Sequence, residues 1–244
     1  MAIESYRAGE KQLAAEERAQ HFPGLEIVTR LISKGANAIG LELPKFLELS
    51  FEALNKNSTG NLSYLLGCLV ADVERLDIKA ESFDSASNAE REALNELVSE
   101  AVSRAAESKT KERVRRISRI LSKAFREGPK QNYEPERELI DAAIQVADSD
   151  ASILGVMMRY QGATVKSAGV ADINASNETW KKMLEENKEF GHGHIHVSCA
   201  RLQAQGLIVR MDRIPTSMDL ATNAYSLTEF GVTFCEWCME EDRK

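Results

Sequence analysis

Two stretches, HVSCARLQAQGLIVRM (residues 196–211) and AYSLTEFG (residues 224–231), decide how the C-terminal half of the chain folds. Between His194 and Gln205, Ile195, Cys199 and Leu202 recur at three- and four-residue spacing, which places them on one face of a helix. Gly206 follows at once, where a residue tolerant of positive φ ends a helix. The run 207–211, LIVRM, then reads as a strand. A loop containing Pro, Ser, Thr and Asn separates it from a second strand at 224–228, AYSLT. A last helix carries Phe230, Phe234, Trp237 and Cys238.

Upstream, 148–160 has helical spacing at Ile153, Leu154, Met157 and Met158. Residues 163–170 are short, small and bounded by glycine, which predicts an edge strand. Around Ser176 a further helix opens, carrying Trp180, Met183 and Leu184, and Gly191 closes it. The order helix, short strand, helix, helix, strand, loop, strand resembles the winged-helix superfamily. The helix–Gly–strand junction and the sequence YSLTEFG carry that resemblance, which covers roughly residues 148–239. It implies a small β-wing and a third helix that reads DNA in the major groove or docks a protein.

The N-terminal half reads as helices throughout. Residues 2–20 are polar with scattered alanines. Pro23-Gly24 precedes a second pattern (Leu25, Val28, Ile32), and Pro44 opens a third with Leu43, Phe46, Leu47, Phe51 and Leu54. After a loop at 55–60, Leu62, Leu65, Leu66, Leu69, Val73 and Leu76 form another stripe. Ser87 with Glu90 has the form of a capping box. From there one long helix, with at most a slight break near Ser108, runs through Leu94, Leu97, Val98, Val114, Ile117, Leu121 and Phe125 to Gly128-Pro129. A helix of that length needs its stripe buried, against its neighbours or against a second copy of the chain, so a homodimer is expected. The expected architecture is mainly α, with a helical scaffold over 1–130 and a winged helix with an extra C-terminal helix over 131–244. The whole layout, with its LTEFG tail, also resembles bacterial Abi-alpha-like proteins, a group linked by name to abortive phage infection.

The chain is acidic, with a formal charge of −7, so net charge does not steer it to nucleic acid. The charge is nevertheless uneven: residues 109–130 hold nine basic and two acidic side chains. On a helix, Arg115, Arg116, Arg119, Lys123 and Arg126 fall together opposite the apolar stripe. Such a ridge suits phosphates, or else it is a solvated face or a partner for the chain's own acidic segments. In the third helix of the winged helix, His194, Ser198, Arg201, Gln203 and Gln205 are the outward candidates, with Arg213 in the wing. Arginine and glutamine can contact guanine and adenine edges. The set is thin, and Glu185, Glu186 and Glu189 stand just before the helix, which suits a protein partner instead.

Two smaller constellations admit metal chemistry. In GHGHIH (191–196), His192 and His196 are four apart and Cys199 is three further on, a spacing compatible with zinc. Cys199, however, belongs to the apolar stripe. Cys235 and Cys238 form a CxxC inside FCEWC, where the simpler reading buries Cys238 with Phe234 while Cys235 flanks it. No metal or other cofactor is therefore assigned. The chain lacks GxSxG, HExxH, GxGxxG and GxxxxGK[ST], which argues against an enzyme.

Four cysteines are too few for a secreted disulfide scaffold, and MAIESYRAGEKQ has no apolar signal core. The longest apolar stretch, 62–71, is too short to span a bilayer. A cytoplasmic location is expected. The leading expectation is a non-enzymatic nucleic-acid-associated protein, a transcriptional regulator or a component of bacterial phage defence, with DNA or another polyanion as partner. The alternative is a protein–protein module that docks through the acidic winged helix.

Overall fold

The computed structural model describes residues 59–75, 86–169, 171, 173–211 and 224–239. The helices expected within 1–58, and residues 212–223, where the loop of a wing is expected, lie outside this set. The described residues are mainly helical and form two compact units divided between Ile144 and Gln145, fourteen residues beyond the boundary expected from sequence.

The N-terminal unit contains α1 (Thr59–Arg75), α2 (Asn88–Glu107), α3 (Lys111–Glu127) and α4 (Glu134–Gln145). Helix α2 begins as its sequence predicts. Ser87 Oγ accepts from the Glu90 N–H, and Glu90 Oε2 accepts from the Ser87 N–H at 2.8 Å. The single long helix becomes two, because Ser108 leaves helical geometry (φ −64°, ψ 139°). Its hydroxyl donates to Arg104 O at 2.9 Å, while its own carbonyl accepts from Asn61 Nδ2 at 2.7 Å. Thr110 then caps α3 by accepting the Arg113 N–H. Serine and threonine here offer the backbone alternatives to the helical ladder.

Leu94, Leu97, Val98 and Ala101 of α2 are buried within the chain, as are Val114, Ile117, Ile120 and Leu121 of α3. The burial that motivated a dimer is thus supplied without a second copy. Helix α4 was not anticipated. It is anchored by Tyr133, whose hydroxyl accepts from the Lys130 N–H and donates to Gly128 O. Lys130 Nζ also bonds the buried Glu136 and the exposed Glu127, each at 2.5 Å.

The C-terminal unit runs α5 (Asp148–Ala168), α6 (Ile173–Glu186), α7 (His192–Ala204), β1 (Ile208–Met211), β2 (Ala224–Leu227) and α8 (Glu229–Cys238). The two strands pair antiparallel, Ile208 opposite Leu227 and Met211 opposite Ala224. The edge strand expected at 163–170 is not formed, because Ala163–Ala168 are the last turns of α5. A side chain meets the edge of β2 that faces away from β1. Thr228 N–H donates to Leu207 O, so by alternation Tyr225 and Leu227 turn their backbone groups away from β1. The wholly buried Gln161 of α5 meets both: its Nε2 donates to Tyr225 O at 2.8 Å, and its Oε1 accepts from the Leu227 N–H at 3.0 Å.

The motif segments quoted first have structural explanations. Gly206 (φ +72°) ends α7, its N–H donating to Gln203 O and that of Leu207 to Leu202 O, each at 3.0 Å. That is the double bond pattern of a Schellman cap. In LTEFG, Thr228 Oγ1 accepts the Gly231 N–H at 2.9 Å and donates to Gly206 O at 2.7 Å. A Cβ at Gly231 would stand 2.0 Å from Leu207 O, so α8 can lie this close to the α7–β1 junction only with glycine there. Ile153, Leu154, Met157, Ile195, Cys199, Leu202, Leu207, Leu227 and Phe234 fill the core.

Candidate interaction surface

Helix α7 turns Ile195, Ser198, Cys199 and Leu202 into the core. At about 100° per residue, Gly193, Val197, Ala200 and Ala204 form the line opposite, and all four are exposed. Val197 is 53% exposed, the most of the large apolar side chains described. This line is flanked by His194 and Arg201 on one side and by His196 and Gln203 on the other. His194 stacks on Phe190 (ring centroids 4.8 Å apart), and His196 lies tilted against Trp180 (4.9 Å), which in turn meets Tyr225.

Arg201 is already committed. Its Nε and Nη2 donate to Asp150 Oδ2 and Oδ1 at 2.9 and 2.5 Å, and Nη2 also donates to Ser198 Oγ at 3.1 Å. Asp150, in the first turn of α5, is wholly buried. Burial alone would raise its carboxyl pKa. Hydrogen bonds from Arg201 and Ser198, the Arg201 charge and the Ala147 backbone N–H outweigh that and hold it below the ordinary carboxylate value. Of the expected base-reading set, His194, Arg201 and Gln203 are exposed, Gln205 is half-buried and Ser198 is buried, which removes Ser198 from the outward face. Ser198 is buried because it lies one turn before Leu202 on the core side and bonds Arg201 inward. Arg213 lies outside the described residues.

The basic helix α3 presents a different picture. Arg116 is only 5% exposed, Arg115, Arg119 and Lys123 are half-buried, and Arg126 alone of the five is exposed. Ser122, beside Arg115 and Arg119 on the helix surface, is buried as well. Helix α1 lies alongside this face: Lys111 Nζ sits 5.5 Å from the centre of the Tyr64 ring. Burial raises the pKa of the Cys68 thiol, while the charges of Arg115 and Arg119 act to lower it, which places both arginines near α1. Arg115, Arg116, Arg119 and Lys123 each interact within the chain. The ridge drawn from sequence is therefore partly covered within the chain, with one of its five cations buried, three half-buried and one exposed.

His192, His196 and Cys199 do not form a metal cluster, and no group of three or more His, Cys, Asp or Glu among the described residues is arranged to hold an ion. His192 is exposed, His196 leans on Trp180, and Cys199 lies in the core with its thiol pushed up to about 12 by burial and by the nearby Asp150 charge. In the CxxC, Cys235 does not merely flank the core. Both thiols are buried, and burial pushes Cys235 up to about 12. All four cysteines are free, and Cys199 and Cys235 are held as thiols rather than nucleophilic thiolates at neutral pH. Among the described residues no helix is long and apolar enough to cross a membrane. Comparison with protein-family models, with characterised proteins and with solved structures yields no match to this chain.

Proposed function

We propose that the C-terminal unit is a winged-helix-type, non-enzymatic module that docks a protein partner through the outer face of α7. The observation that carries this reading is the centre line of that face. Gly193, Val197, Ala200 and Ala204 are exposed, with Val197 more than half in solvent. A helix that reads DNA needs donors and acceptors along such a line and phosphate-binding cations around it. Here the helix's one arginine is paired to a buried carboxylate. A shallow apolar line with polar flanks matches the centre and rim of a protein interface. A regulatory or phage-defence role fits such a module, in keeping with the Abi-alpha-like layout.

A second reading keeps nucleic acid as the partner. It rests on the absence of any acidic residue between Gly191 and Met211, a run in which His192, His194, Gln203 and Arg210 are all exposed. Two measurements separate the readings. The first places a photo-crosslinking amino acid at position 200 of the full chain in cells. A discrete protein adduct that disappears with Val197→Glu is expected; a nuclease-sensitive adduct, or none, rejects protein docking. The second is anisotropy with a random fluorescent DNA duplex, for which no binding at low salt is expected. A log–log salt slope of about −4 or steeper instead establishes several phosphate contacts.

A further inference from the structure

We draw no further inference here: the strongest candidate, the histidine-rich first turn of α7 (His192, Gly193 and His194) beside Phe190, is a helix N-terminus adjoining the face already described, and nothing bound or buried beside it points to a ligand.

Discussion

Helices α3 and α7 invert what their compositions announce. Helix α3 carries most of the chain's concentrated positive charge, yet Arg116 is buried and three of its other cations are half-buried and engaged within the chain. Helix α7 is nearly neutral and sparsely decorated, yet it opens a full side to solvent. Charge density along a sequence measures what a helix can attract, and the chain's own segments compete for that attraction first. Exposure depends instead on whether neighbouring elements cover the face, which a helical wheel cannot report.

The framework that leaves α7 open is the most sensitive place to break the contrast. Replacing Gln161 with Leu leaves the Leu227 N–H and the Tyr225 carbonyl buried without their partner. Each orphaned group costs about 1–3 kcal/mol, so the variant is expected to lose about 4 kcal/mol in urea unfolding. A loss under about 1 kcal/mol shows that water or a backbone shift replaces the amide.

Within α3 itself, Arg116→Ala and Arg126→Ala form a matched pair. The buried residue loses both packing and its intrachain interaction, with an expected cost of about 2 kcal/mol. The exposed one stays within about 0.5 kcal/mol of the parent. Equal small effects from both restore α3 as a solvated ridge and return weight to phosphate binding.

The Asp150–Arg201 pair ties α7 to α5. Asp150→Asn removes a buried charge whose partner is 42% exposed and can be rehydrated. The cost is therefore about 1–2 kcal/mol, below the 3–5 kcal/mol of a fully buried pair. The Asp150 pKa is depressed in the folded state, so its stabilisation is present above the unfolded value of about 3.9 and is lost as pH falls through the folded value. Unfolding free energies measured between about pH 6 and pH 3 should fall more steeply for the parent than for the variant. Parallel curves mean that the carboxylate is not stabilised by Arg201.

Much of the C-terminal unit was legible because its signals are local. The Ile195–Cys199–Leu202 spacing, Gly206 and the run LIVRM with its β-branched Ile208 and Val209 each specify geometry within a few residues, and the helix, its cap and a strand over Ile208–Met211 appear there. Residues 163–170 misled because small residues between glycines carry no period. Ala163–Ala168 instead continue α5, whose Gln161 bonds a strand 64 residues away. Asp150 was equally hidden, since an acid in a first turn looks like an ordinary answer to the helix dipole until Arg201 arrives from 51 residues further on. Helix α4 is short, and its stripe of Leu139, Ile140 and Ala143 is buried beside a start that Tyr133, Lys130 and Glu136 fix by side-chain bonds no local pattern announces. In the candidate surface, the outward polar residues His194, Arg201 and Gln203 could be read from the wheel. The exposed apolar line between them is not legible there, because a valine and two alanines on a helix look like core until burial is known.

The smallest expected effect on stability accompanies the sharpest effect on function. Val197 has few neighbours to lose, so Val197→Glu should unfold within about 0.5 kcal/mol of the parent. A carboxylate at the centre of an apolar contact would have to be desolvated without a partner, which is enough to abolish a docked complex. The variant therefore tests occupancy rather than folding. Unchanged unfolding with loss of the crosslinked adduct assigns the α7 line to a partner. A stability loss above about 2 kcal/mol shows instead that Val197 is covered within the chain, and the openness that sets α7 apart from α3 disappears.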